Sequence, residues 1–178
     1  GDGIQAAMYG NGPALGSGVS PSTNAGIWIT GSGASTSTSA VGISAYIDLL
    51  ANVSDIVIDR SGSVSGGTDG IDAVTHGTGN IFVTGTGPVT SGAGGTGIHA
   101  IATSGNVDVE PASTVWGGVY GIDAETGGSG TVTVVTHGDI TGNTDDGIHA
   151  RSQNGNINVT TAARTTVTGD ASYTGFGD

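Results

Sequence analysis

The tetrapeptide Gly-Ile-x-Ala occurs six times in this chain of 178 residues, and this repetition restricts the possible folds more than any other feature. The copies have successive spacings of 39, 28, 27, 24 and 26 residues, and they begin at Gly3, Gly42, Gly70, Gly97, Gly121 and Gly147. Self-similarity at a period of roughly 20–50 residues is typical of solenoids and repeat arrays. Without such a period, the 36 glycines would instead indicate a flexible, low-complexity chain.

Two further apolar segments follow the tetrapeptide within a repeat. The second alternates apolar and polar residues, as in Ile157-Asn158-Val159. The third is shorter and is centred on Val64, Val89, Val115, Ile140 and Val167. Between the segments lie Gly, Asn, Ser and Thr, which favour turns and left-handed backbone. Three short alternating segments per 24–28 residues predict one coil of a parallel β-helix.

We therefore predict an all-β fold, a right-handed parallel β-helix of about six coils with three short strands per coil. Residues 1–178 are predicted to form a single domain. The first repeat is longer than the others, so residues 8–24 are predicted to form a loop that projects from the first coil. Residues 175–178, which include Phe176, are predicted to begin a further coil.

The charge of the chain restricts its partners. Three basic residues stand against 15 carboxylates, which gives a formal net charge of -12. Such a surface repels phosphate backbones and anionic lipids, so we expect no nucleic-acid partner. No apolar run is long enough to cross a bilayer, so direct membrane insertion is not expected either. The chain has no cysteine and therefore no thiolate metal site.

The x position of the tetrapeptide points outward and predicts a column of alternating acid and imidazole. Its last four members are Asp72, His99, Asp123 and His149. Adjacent members would lie one strand apart, close enough for charge-assisted contacts that fix the register. A divalent transition metal held by His and Asp of neighbouring coils is the functional alternative. No other cofactor is expected, except that the acidic turns are also compatible with weak binding of Ca²⁺.

Two other outward or turn positions recur in the second segment. Asn80, Asn106 and Asn156 each follow a glycine, which predicts a structural asparagine ladder in the turn before the second strand. Trp28, Val57 and Phe82 occupy the outward position of that strand and predict an exposed apolar stripe, suited to a partner or to sugar stacking. The alternative is that the loop of residues 8–24 covers this stripe.

The patterns "DGIDA…GNIFV…PVTSG" and "DGIHA…GNINV…TVTGD" resemble the Gly/Thr-rich passenger regions of type V autotransporters and, more loosely, filamentous haemagglutinin-like exoproteins. The resemblance implies a secreted or cell-surface bacterial protein that acts as a stalk or adhesin. A self-stacking extracellular fibre is a related possibility, with copies of the chain or flanking coils as partners. No nucleophile–base set is recognisable, so no enzymatic activity is expected. The alternative is a β-helix module that binds or degrades polysaccharide, with host or matrix glycans as ligands.

Overall fold

The computed structural model describes residues 1–10 and 25–170. Within these residues the chain forms eighteen short β-strands, β1 to β18, which stack in three parallel sheets of six strands each. The predicted β-helix with three strands per coil is therefore confirmed. Five stacking steps separate the first strand of a sheet from the last, a distance of about 24 Å at the usual spacing of parallel strands.

Each sheet takes one strand from every coil. Sheet 1 contains the Gly-Ile-x-Ala segments and consists of β1 (Ile4–Met8), β4 (Ile43–Ile47), β7 (Ile71–Thr75), β10 (Ile98–Ala102), β13 (Ile122–Thr126) and β16 (Ile148–Ser152). Sheet 2 consists of β2 (Ala25–Gly31), β5 (Asp55–Arg60), β8 (Ile81–Thr84), β11 (Val107–Glu110), β14 (Val132–Thr136) and β17 (Ile157–Thr161). Sheet 3 consists of β3 (Ser35–Thr36), β6 (Val64–Ser65), β9 (Val89–Thr90), β12 (Val115–Gly117), β15 (Ile140–Gly142) and β18 (Val167–Thr168).

The core consists of columns of identical or similar residues. In sheet 1, Ile98 pairs with Ile71 on one side and with Ile122 on the other, and all three side chains are fully buried. The alanines two positions later form a second buried column. Because side chains alternate between the two faces of a strand, the residues between these columns point outward. This alternation places the x position of each tetrapeptide on the surface of sheet 1.

The glycine that opens each tetrapeptide is required by the close approach of neighbouring backbone. A Cβ atom added at Gly97 would lie 2.5 Å from the carbonyl oxygen of Gly121 and 2.5 Å from Cγ1 of Val115. Positive φ angles, which the turn composition led us to expect, occur among the described residues at Gly31, Gly85 and the non-glycine Arg164. At the start of sheet 1, glycine therefore serves to make room for the next coil.

Two predicted boundaries concern the ends of the stack. Met8, predicted to begin the projecting loop, is the last residue of β1. The remainder of that loop, apart from residues 9 and 10, and the predicted further coil at 175–178 lie outside the described residues. Among residues 1–10 and 25–170, no helix is long and apolar enough to span a membrane.

Candidate functional site

The outward face of sheet 1 carries the predicted column of acids and imidazoles. Asp72 lies on β7, His99 on β10, Asp123 on β13 and His149 on β16, and each is directly opposite the next in the strand register. The pairing follows from the repeat itself, because stacking Ile over Ile and Ala over Ala brings the x positions into line. The sequence prediction of one continuous column is confirmed.

The members of the column are in hydrogen-bonding contact. Nδ1 of His99 lies 2.8 Å from Oδ1 of Asp72, and Nδ1 of His149 lies 2.9 Å from Oδ1 of Asp123. Nε2 of His99 lies 3.9 Å from Oδ2 of Asp123, which joins the two pairs. The contacts are therefore alternately short and long along the stack, and Asp123 lies between two imidazoles.

The carboxylates raise the pKa of both histidines above its ordinary value. Partial burial lowers the pKa of His99, but the hydrogen bond to Asp72 and the charges of Asp72, Asp123 and Asp69 outweigh that effect. For His149, the hydrogen bond to Asp123 is the largest influence and raises the pKa against a smaller opposing effect of burial. Both imidazoles thus hold a proton more readily than a free histidine does.

Comparison of the whole chain with known proteins identifies no relative. No protein-family model, no curated protein and no solved structure matches this chain. The resemblance to passenger regions therefore rests on the repeat pattern alone, and the chemistry of the column follows from its own residues.

A second outward column, two residues further along each strand of sheet 1, places Glu125 and Arg151 beside His149. Glu125 lies two residues after Asp123 on β13, and its Oε1 atom is 3.4 Å from Nδ1 of His149. Its Oε2 atom is 3.9 Å from NH1 of Arg151 on β16. Asp123, Glu125 and His149 thus offer three ligand atoms that all lie within 4.8 Å of one another. Sequence analysis did not identify Glu125, because the same column holds Val74 and Ile101 in the two preceding coils.

The other two histidines of the chain also contact a carboxylate of the preceding coil. Nδ1 of His76 lies 3.5 Å from Oδ1 of Asp48, and Nε2 of His137 lies 3.0 Å from Oε1 of Glu110. Sequence analysis did not identify these pairs, although a signal was present. In all four cases the acid stands 26 to 28 residues before the histidine, which is the length of one coil.

The predicted asparagine ladder exists for two of its three members and connects side chains to backbone. Oδ1 of Asn80 accepts a hydrogen bond of 2.9 Å from the backbone N–H of Asn106, whose Oδ1 accepts one of 2.8 Å from the N–H of Thr131. Asp55 begins the series by accepting from the N–H of Asn80 at 2.6 Å. Thr131 has no side-chain amide, so the ladder does not continue through it to Asn156. Each of these hydrogen bonds joins one coil to the next.

The prediction of an exposed apolar stripe on sheet 2 is wrong for its central residue, Val57. Val57 is only 1% exposed, whereas Trp28 is 43% exposed and Phe82 is partly buried. In the register Val57 stands between Trp28 and Phe82, and both neighbours have much larger side chains. Val57 is thus the most deeply buried of the three residues although it shares their outward position in the register. The surface available to a partner is therefore centred on Trp28.

An acidic cleft of about 640 Å³ lies beside the turn before β16. It is lined by Thr144, Asp145, Asp146, Gly169 and Asp170. The backbone N–H of Asp170 donates a hydrogen bond of 2.8 Å to the carbonyl of Asp145, which joins the two sides of the cleft. Carboxylate oxygens are the ligands that calcium prefers, but acidic residues also line many surfaces that bind no ion.

Proposed function

We propose that this chain is a non-enzymatic structural segment of a secreted or cell-surface bacterial protein, with the role of a rod or stalk. The observation that supports the proposal best is the continuity of all three sheets through six coils, with like residues stacked over like. Repeat proteins of this kind gain stability from each neighbouring coil, which suits an extended support. The excess of carboxylates keeps such a surface soluble and separated from similar surfaces.

The buried basic group fits a structural role better than a catalytic one. Arg60 is only 6% exposed, and its guanidinium donates hydrogen bonds to the backbone carbonyls of Thr30 and Gly33 in the preceding coil. A general base has to reach the proton that it abstracts. Arg60 is engaged in holding two coils together, so it does not meet that requirement.

Self-stacking into an extracellular fibre is the finer form of this proposal. In the sixth coil, Ile157, Val159 and Val167 are between 41 and 47% exposed, although they continue core columns. Their counterparts one coil earlier, Val132, Val134 and Ile140, are fully buried. A second copy of the chain that stacked its first coil on this edge would cover these side chains and pair the open strands. Such a head-to-tail contact does not close on itself and therefore produces filaments.

Negative-stain electron microscopy and light scattering of the purified chain test this stacking. We expect filaments from the wild-type protein and none from Ile157→Lys, which places a charge in the contact. Asn158→Lys is the matched control, because it adds the same charge on the outward face of the same strand. Filaments that persist in Ile157→Lys, or a wild-type protein that stays monomeric at every concentration, would refute self-stacking. Release of sugar products from acidic or neutral polysaccharides would refute the non-enzymatic role.

Polysaccharide binding is a second candidate, supported by the exposed ring of Trp28. Aromatic rings on a flat sheet provide stacking surfaces for sugars, and Trp28 is 43% exposed. Retention on immobilised neutral and acidic glycans would test it, with Trp28→Ala expected to abolish retention. Trp116→Ala is the control, since Trp116 is 36% exposed on sheet 3. Equal retention of both variants would exclude a site at Trp28.

A further inference from the structure

We propose that Asp123, Glu125 and His149 form a binding site for a divalent transition-metal ion of the zinc type on the outward face of sheet 1. This inference does not depend on the structural role proposed above. Imidazole nitrogen and carboxylate oxygen are both ligands of zinc, and three protein ligands leave a fourth position for water. The two carboxylates come from one strand, β13, and the imidazole comes from the next coil, β16.

The two distances from the imidazole nitrogen to the carboxylate oxygens suit one shared ion, and all three donor atoms lie within 4.8 Å of one another. Zinc binds histidine nitrogen and carboxylate oxygen at about 2.0–2.2 Å. Two ligands at that distance lie about 3 Å apart when they subtend a right angle and about 3.4 Å apart at a tetrahedral angle. Nδ1 of His149 lies 2.9 Å from Oδ1 of Asp123 and 3.4 Å from Oε1 of Glu125. A metal ion binds Nδ1 of His149 only when that nitrogen carries no proton, so any proton on Nδ1 would pass to solvent on binding.

Each of the three ligands also has a second contact that orients it. The Oδ2 atom of Asp123 faces Nε2 of His99, and the Oε2 atom of Glu125 faces NH1 of Arg151, both at 3.9 Å. The ring of Tyr120 stacks on the imidazole of His149, with centroids 5.3 Å apart and an interplanar angle of 25°. The two contacts at 3.9 Å are ion pairs rather than hydrogen bonds, and the ring stack restricts the orientation of the imidazole.

The same column provides an internal comparison. Asp72 and His99 form a pair of the same geometry, with a distance of 2.8 Å between Nδ1 and Oδ1. At the position that corresponds to Glu125, this pair has Val74, and at the position of Arg151 it has Ile101. Two ligands without a third make a far weaker site. The structure therefore assigns metal binding to the end of the column at β13 and β16.

Isothermal titration calorimetry of tag-free protein with Zn²⁺ tests the site. We expect one ion per chain in the wild type, and at least about 10-fold weaker binding in Glu125→Gln and in His149→Gln. His137→Gln is the matched control, because it removes an imidazole from another carboxylate pair and should leave the affinity unchanged. Circular dichroism of each variant reports whether the fold is retained.

The visible absorption of Co²⁺ provides a second measurement, which reports the coordination of the ion rather than the stability of the protein. At one sub-saturating Co²⁺ concentration, this absorption should change as much with His137→Gln as with the wild type and much less with Glu125→Gln. Three results would overturn the proposal: no Zn²⁺ binding by the wild type, equal binding by all variants, or Ca²⁺ binding of equal strength that His149→Gln leaves unchanged. The last result would indicate non-specific attraction to an acidic surface.

Discussion

Replacing Gly97 with alanine should destabilise the protein strongly, because the added methyl group has no space. Its Cβ atom would lie 2.5 Å from the carbonyl oxygen of Gly121, whereas ordinary contact begins at 3.4 Å. One of the two coils must therefore move by about 0.9 Å. That carbonyl accepts a hydrogen bond of 3.0 Å from the N–H of Ile98, so the movement would stretch a bond that joins the two coils.

Two costs contribute to the expected effect. Overpacking of a tight site costs about 1–3 kcal/mol. A buried hydrogen bond that is lost or badly stretched costs about 1–3 kcal/mol more. We therefore expect Gly97→Ala to reduce the free energy of unfolding by about 2–5 kcal/mol. Urea denaturation followed by circular dichroism measures this change.

Gly94 is the matched control for this substitution. It lies three residues earlier in the same turn, and a Cβ atom there would meet nothing within 4 Å. Gly94→Ala should leave stability unchanged or raise it by up to about 1 kcal/mol, since alanine restricts the unfolded chain. If Gly97→Ala and Gly94→Ala unfold at the same urea concentration, glycine is not needed at Gly97 for space and the steric explanation is wrong.

Three other predictions follow from the ladders and the core. In EDTA, His99→Gln should lower the melting temperature more at about pH 5.5 than at about pH 8.5. The raised pKa of His99 gives a stabilisation that is complete below about pH 6.5 and disappears as the pH rises through the folded-state pKa, so an equal loss at both pH values would contradict the pairing with Asp72. Asn106→Ala should cost about 0.5–1.5 kcal/mol in urea denaturation by removing the acceptor of a turn N–H, whereas Asn106→Asp keeps that acceptor and should cost less. Ile98→Ala should reduce the free energy of unfolding by about 2–5 kcal/mol, and Ile157→Ala should reduce it by less than half as much. The reason is that the Ile98 side chain is fully buried whereas that of Ile157 is 46% exposed. Similar losses for the two variants would mean that the sixth coil is covered in solution.

The sequence predicts the coil where the repeat is regular and misses strands where an apolar residue is replaced. The first strand of sheet 3, Ser35–Thr36, contains no valine or isoleucine, so its pattern gives no apolar signal. Ser35 is nevertheless buried, and its hydroxyl donates a hydrogen bond of 2.8 Å to the carbonyl of Gly42. A small polar side chain can replace valine there because its one donor finds a partner.

The candidate site was predictable in part. Alternation along a strand indicates which face a residue occupies, and the repeat length indicates which residues are stacked, so the positions of His99 and His149 followed from counting. Alternation does not indicate what lies beside a residue, and for this reason Val57 was wrongly predicted to be exposed. Glu125 was missed because its column is apolar in the preceding coils, and only the structure shows that it turns toward His149.

The alternation of acid and imidazole along sheet 1 has a consequence for how such a rod could change in length. Identical core residues repeat every coil, but the outward column repeats every two coils. Removing one coil between Asp72 and Asp123 would stack two carboxylates directly opposite each other, and like charges in that position repel. Removing two coils would place Asp72 opposite His149 and restore an attractive pair. The unit that can be duplicated or deleted in this part of the chain is thus a pair of coils. Related β-helices with the same alternating column should therefore differ from one another by an even number of coils.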